Sequence, residues 1–167
     1  RRRAVAGRLP AMMVFVVCAP RGGGGKCTGN GCQILTATGM LPARLTRNAG
    51  LKLACRNVGL QVCETLASPF TSGLAANKKL IIPIAHNEGN YFAESDELNR
   101  LASDGQIAFR YTDSTTIGPA NPNGAARAIA GAISRNGRVL GMPPHPARSA
   151  DYLERRRAGA DSFLLAA

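Results

Sequence analysis

Tryptophan is absent from the 167-residue chain, aromatic residues make up 5% of it, and histidine occurs only twice. With so few rings there is no interleaving of basic and aromatic residues, hence no stacking platform for a single nucleic-acid strand. The net charge of +11 would otherwise invite an anionic partner. That charge is unevenly laid out, because Arg1-Arg2-Arg3 and Arg155-Arg156-Arg157 lie near the chain ends, where fixed structure is least expected. Nucleic acid is therefore not expected as a partner. The CxxC pair is missing as well. The five cysteines (Cys18, Cys27, Cys32, Cys55 and Cys63) are odd in number, which argues against a disulfide framework and a zinc ribbon and fits a reducing cytoplasm. No metal site is expected. Long apolar runs are also lacking: Ala11 to Ala19 is nine residues, against about twenty for a bilayer-spanning helix. Behind Arg1 to Arg3 this run imitates a signal peptide, but its Val and Phe suit a buried strand. No membrane is expected.

What is present is enough apolar material, 45% of residues, for one core of ordinary size. Met12 to Cys18 reads as a short apolar strand of the type found in a parallel sheet covered on both faces. Gly22 to Gly25 breaks it. Gly31 to Met40 has helical spacing, with Ile34, Leu35 and Thr38 near one face, and Pro42 prevents its continuation. Leu51 to Val62 reads as strand. Lys79 to Ala85 (KLIIPIA) is a strong strand whose Pro83 places it at an edge or a bulge. Glu94 to Ala102 opens with acidic residues and carries Leu98 and Leu101 at helical spacing. Gln106 to Tyr111 is a further strand, and Ala128 to Ile133 and Arg138 to Met142 flank Asn136-Gly137, a strong hairpin signal. Tyr152 to Leu165 suits a closing helix. The sum is a mixed α/β layer architecture.

Three stretches invite a chemical reading. The glycine run Gly22 to Gly25 suggests a phosphate loop, but Pro20 stands where a Walker loop needs its first glycine and Cys27 where it needs Ser or Thr. His145, in GMPPHPAR, follows a strand. A lone histidine is commonly a structural hydrogen-bonding residue, whereas a loop at the end of a strand is where catalytic groups collect. His86, in IPIAHNEGNY, also follows a strand, and structural and substrate-lining roles are both open to it. Both histidines following apolar strands, with a glycine-rich turn able to meet them, point to one shared site.

Taken in order, GNGCQILTATGMLPARLTRNAGLKLACRNVGLQV, PFTSG, IPIAHNEGNYFA, GQIAFRYTD, NPNG, IAG and VLGMPPHPAR resemble the glutamine amidotransferase (glutaminase) subunit of phosphoribosylformylglycinamidine synthase, of the class I amidotransferase family. The resemblance runs from Gly29 to Arg148. It implies a three-layer α/β fold, a sheet flanked by helices of flavodoxin-like type, truncated at the N-terminus. The domains expected are a poorly matching segment 1–28 with one strand, and an amidotransferase-like domain 29–167. The implied chemistry is attack of a cysteine on the side-chain amide of glutamine, thioester formation, and release of ammonia. A synthetase subunit, assembled with a small accessory subunit, uses that ammonia in an ATP-dependent amidation in de novo purine biosynthesis. No cofactor is implied in this chain; ATP and magnesium belong to the synthetase partner.

The residue types follow from the reaction. An amide carbonyl is a poor electrophile, so a thiolate is needed, and its pKa falls beside a histidine and at a helix N-terminus. Backbone N–H groups at the helix start stabilise the oxyanion, an effect worth roughly 3 kcal/mol per donor. A carboxylate behind the histidine fixes its tautomer. By resemblance, His145 is the general base and acid, the Asn30 N–H and Gln33 are oxyanion and glutamine contacts, and His86 with Gly89 line the substrate.

The departures fall at the reacting positions. Cys27-Thr28-Gly29-Asn30-Gly31 stands where the family has glycine, a variable residue, cysteine and Asn-Gly. Gly29 occupies the nucleophile position without a side chain. Cys27, the substitute at hand, is two residues upstream, about 6 to 7 Å along a strand and beyond near-attack reach. Cys32 reads as core packing. Ala147 replaces the glutamate of the family's His-Pro-Glu-Arg. The chain therefore reads as a glutaminase subunit inactive as written or, alternatively, as a non-catalytic pseudoenzyme or gene fragment that keeps only the partner-docking scaffold.

Overall fold

The computed structural model describes residues 17–18, 25–113 and 120–146. Within them, nine strands and two α-helices follow the chain, with one 3-10 turn at Ala126–Ala128: β1 (Val17–Cys18), β2 (Gly25–Thr28), α1 (Asn30–Ala37), β3 (Arg44–Thr46), β4 (Ala54–Val62), β5 (Lys79–His86), β6 (Asn90–Phe92), α2 (Ser95–Ser103), β7 (Ile107–Thr112), β8 (Ile129–Ile133) and β9 (Val139–Met142). Seven strands form one sheet in the order β1-β2-β9-β8-β7-β4-β5, and β3 pairs with β6 in a two-stranded sheet. The α/β class is as expected. Parallel pairing is confined, among the described residues, to β2 and β9.

The central strands read as apolar because both their faces are covered. All five residues of β8, IAGAI, are buried, and β7 contributes buried Ile107, Ala108, Phe109 and Tyr111. Among the described residues β5 lies at the end of the sheet and pairs only with β4, so Pro83, set opposite Asn57, sits where a missing N–H is tolerated. α2 opens with Asp96 and Glu97 and buries Leu98 and Leu101, which matches its spacing. The Asn136-Gly137 hairpin also forms: Ile133 pairs with Leu140, Gly137 has a φ of 73°, and the Ser134 hydroxyl donates to Asn136 Oδ1 at 2.7 Å.

Three expectations need correction. The apolar run before the glycines was expected in a parallel sheet. Its described part, β1, runs antiparallel to β2, with Val17 opposite Lys26. Only residues 19–24 connect the two, and a parallel crossover needs a dozen residues or more. Met12 to Val16 lie outside the described residues, as does the helix read over Tyr152 to Leu165. In α1 the buried face is Cys32 and Leu35, while Ile34 is 40% exposed and the Thr38 hydroxyl donates back to the Ile34 carbonyl at 2.8 Å. Contact with β2 and β9 selects the residues three apart, 32 and 35, and turns position 34 outward. β4 starts at Ala54 rather than Leu51, because Leu51 has a φ of 53° and donates its N–H to the Asn48 carbonyl at 2.8 Å, closing a turn.

Strand β2 was not anticipated, since its first residue belongs to the glycine run. It nonetheless sits in register with β9, Gly25 opposite Val139 and Thr28 opposite Met142. The sheet therefore runs across the boundary read at residue 28. Beside this pair, Cys27, Cys32, Leu35 and Leu41 form a small apolar cluster, separate from the larger core around β4, β7, β8 and α2.

Candidate functional site

Parallel pairing of β2 and β9 brings their C-terminal ends side by side, the position at which α/β sheets place ligands. From β2 the chain turns at Gly29 directly into α1. Gly29 has φ 56° and ψ −127°, outside the regions open to residues with a Cβ. Its N–H donates to the Met142 carbonyl at 3.0 Å, and its carbonyl accepts from Cys32 N at 3.0 Å. This is a strand, a sharp turn and a helix. Because the N-cap is glycine, it offers no side chain to cap α1; Cys32 N is taken by the Gly29 carbonyl, and the helix N-terminus that begins at Asn30 lies at the elbow.

From β9 the chain passes through buried Pro143 and Pro144 to His145, whose backbone N–H donates to the Pro83 carbonyl on β5 at 2.9 Å. This bond fixes the backbone that carries the imidazole. The ring lies over Gly29. A Cβ built on Gly29 would stand 3.0 Å from His145 Nε2, 3.2 Å from Nδ1 and closer still to Cε1. The imidazole thus occupies the space into which a side chain at position 29 would grow.

His86 ends β5 and is 5% exposed. Its ring centroid is 6.4 Å from that of His145, with an interplanar angle of 38°. Burial holds its pKa below the usual histidine range, partly offset by Asn123 and the Pro143 backbone beside it. Among the described residues neither nitrogen of His86 completes a hydrogen bond of good geometry; the ring lies beside those two groups without being aligned on them. Gly89 is small because it must be. A Cβ there would lie 2.7 Å from Asn123 Nδ2 and closer still to His86 Nε2. Gln33 projects from α1 and donates its side-chain N–H to Glu88 Oε2 at 2.7 Å, tying the elbow helix to the His86–Gly89 turn.

Gly29, His145, His86, Gly89 and Gln33 are thus brought into one neighbourhood. Cys27 is not. It is 2% exposed and packs with Cys32 and Leu35 beneath α1. Cys32 is fully buried, and desolvation, with the Cys27 thiol next in weight, pushes its pKa far up, so it is an inert core thiol. Ala147 lies outside the described residues. Among the described residues no group of acidic, His and Cys side chains is arranged to hold a metal, and no helix is long and apolar enough to cross a membrane.

Two buried asparagines went unassigned in the sequence. Asn48 donates Nδ2 to the carbonyls of Lys52 and His86, each at 2.8 Å, and its Oδ1 accepts from Gly89 N at 3.0 Å. It staples the histidine turn to the loop after β3. Asn123, in the NPNG motif, is fully buried and donates Nδ2 to Tyr111 Oη at 2.7 Å. Nothing local marks Asn48. The NPNG motif was visible, without a signal that its second asparagine meets a histidine.

Comparison with known proteins agrees with this arrangement. Residues 26–162 match the CobB/CobQ-like glutamine amidotransferase domain. The phosphoribosylformylglycinamidine synthase subunit PurQ of Ruegeria pomeroyi is 49% identical over 148 residues, 89% of this chain and 63% of that protein. The PurQ subunit of Cereibacter sphaeroides is 46% identical over 162 residues, 97% of this chain and 68% of that protein. The chain thus spans a little under two thirds of the first of these relatives. Among solved structures, PurLQS from Thermotoga maritima superposes with a TM-score of 0.65 at 31% identity, covering 84% of this chain and 59% of that one. With its strand-elbow-helix turn and this match over most of its length, the chain belongs to the CobB/CobQ-like glutamine amidotransferase family and has PurQ subunits among its relatives.

Proposed function

We propose that this chain is a glutaminase-type subunit of phosphoribosylformylglycinamidine synthase in de novo purine biosynthesis. In this reading it keeps the glutamine-site scaffold and the docking role but does not form the thioester. Its partners are a synthetase subunit, which holds ATP and magnesium, and a small accessory subunit, all in the cytoplasm. The single observation that carries the non-catalytic part is Gly29 at the elbow with the His145 imidazole in the place of its missing side chain. A thioester needs a thiol at the apex, and the thiol two residues upstream is sealed in the core. Displacement of a nucleophile by even 1 Å costs about a hundredfold in rate, and a full strand period is several times that.

His145 then has no thiol to deprotonate. With alanine at position 147, that position supplies no carboxylate to hold the tautomer of His145 and offset its charge. What the site keeps is the N-terminus of α1, the histidine pair and the Gln33–Glu88 bridge. These are groups for binding rather than for bond cleavage. The test is incubation with an electrophilic glutamine analogue, followed by peptide mass spectrometry and an ammonia-release assay. The expected result is no adduct above a glutamine-free control and no ammonia. Selective labelling of Cys27 with ammonia release would overturn the non-catalytic reading.

A further inference from the structure

Asn123 has a place in the fold that core packing does not explain. It is fully buried, and its side-chain amide is anchored at one end only, by Nδ2 donating to Tyr111 Oη at 2.7 Å. Oδ1 has no hydrogen-bond partner among the described residues, and neither does either nitrogen of the adjacent His86. Leaving a buried polar group unsatisfied is costly, and here three such atoms belong to two side chains that meet at Gly89. The backbone around them is tightly determined. The Asn123 carbonyl accepts from Ala49 N at 3.0 Å, the Asn121 side chain accepts from Ala125 N at 3.1 Å, and Asn48 holds both His86 O and Gly89 N. The missing Cβ of Gly89 is what lets the amide and the imidazole approach, since any side chain there would meet both.

We infer that Asn123 is a positioning residue: its amide, anchored on Tyr111, faces the His86 ring and selects the tautomer and protonation state of that imidazole where it stands across from His145. The chemistry is complementary. An imidazole N–H needs an acceptor, and Oδ1 is the acceptor that the Asn123 amide leaves unused among the described residues; the Pro143 backbone stands beside the ring as a second. Donating to both acceptors at once requires a proton on each ring nitrogen. Among the described residues the groups beside His86 are His145 from the segment after β9, Asn123, anchored on Tyr111 of β7, and the Pro143 backbone; Glu88, two residues along the same turn, is exposed and accepts from Gln33. Arg47 and Lys52 flank Asn48 on the loop behind the turn. Among the described residues no carboxylate is bonded to the ring, and the Asn123 amide is a group beside it able to set its state.

This inference rests on the proposed glutamine site only for its use; its test needs no substrate. The chain has two histidines, so carbon-proton NMR of the folded protein resolves one imidazole each, assigned with His145→Gln. Asn123→Asp places a carboxylate where the amide was and is expected to raise the His86 titration midpoint by roughly one pH unit or more, with His145 moving less. Asn123→Leu is expected to remove the tautomer preference seen in the ring nitrogen shifts. An unchanged His86 midpoint in Asn123→Asp and unchanged ring nitrogen shifts in Asn123→Leu, in chains whose amide spectra show them folded, would overturn the assignment. If Asn123→Leu unfolds the chain, Asn123→Asp alone decides. Failure of the chain to bind glutamine would count against the proposed function and leave this result standing.

Discussion

Substituting Gly29 by alanine tests the geometry at the elbow with the smallest possible side chain. Two costs are expected. The backbone at φ 56° and ψ −127° is held against its steric preference once a Cβ is present, about 1–3 kcal/mol. The new methyl also enters the His145 ring, with built distances of 3.2 Å or less to three of its atoms, and overpacking of this kind costs about 1–3 kcal/mol. Together these are a large fraction of the roughly 5–15 kcal/mol that holds a domain folded. Repeating the substitution on His145→Ala separates them, because removing the ring leaves only the backbone cost. Urea denaturation of the wild type, both single variants and the double variant closes the cycle. The expected coupling is at least about 1 kcal/mol, the double variant being more stable than the two single losses predict. Additivity within about 0.3–0.5 kcal/mol, the range for independent sites, would refute the claim that the imidazole fills the apex.

The remaining predictions follow from burial and the elbow. His86 has its pKa lowered from 6.5 by desolvation. The unfolded chain therefore binds the extra proton first as pH falls below about 6.5, and stability is lost from there down to the folded pKa. His86→Gln should flatten that part of the pH profile of urea midpoints, and an unchanged slope would contradict the shift. Gly89→Ala, which drives a methyl between His86 and Asn123, should cost about 1–3 kcal/mol and broaden the His86 imidazole resonance; a neutral result would mean that the turn yields freely. Iodoacetamide should modify exposed Cys55 in the native state and reach buried Cys27 and Cys32 only in denaturant, as peptide mapping at matched times will show. Gly29→Cys, if folded, should take up an electrophilic glutamine analogue at residue 29, and a folded variant that takes up none would show that the remaining scaffold does not place the substrate.

The parts of the fold legible in the sequence are those decided within a few residues. Leu98 and Leu101 mark the inner face of α2, Asn136-Gly137 marks the hairpin, and Pro83 marks an edge, each through local periodicity or backbone chemistry. The parts that were not legible are decided at a distance. Nothing in GKCT identifies a strand, and β2 exists because β9 offers it a parallel partner. Ile34 looks as apolar as Leu35, and only the position of the sheet shows which of them faces it. At the site, the two histidines and the glycine turn could be brought together from their strand-end positions. That His145 would lie over Gly29, and that a distant asparagine would face His86, depends on how the segment after β9 crosses to Pro83 and how residues 120–125 return past Tyr111.

The pairing of β2 with β9 also sets an order of events. The two strands are separated by more than a hundred positions in the chain, and contacts of such span must bear the entropy of closing the intervening loop before they repay it. The β4–β5 ladder closes within a few tens of residues and has no such wait. As the polypeptide leaves the ribosome, β4 and β5 are free to zip while the glycine turn is still a slack tether. The elbow takes its shape only after residue 142 has emerged and docked. Until then Cys27 and Cys32 remain open to oxidants and chaperones, so the vulnerable period of this molecule is the interval before β9 arrives.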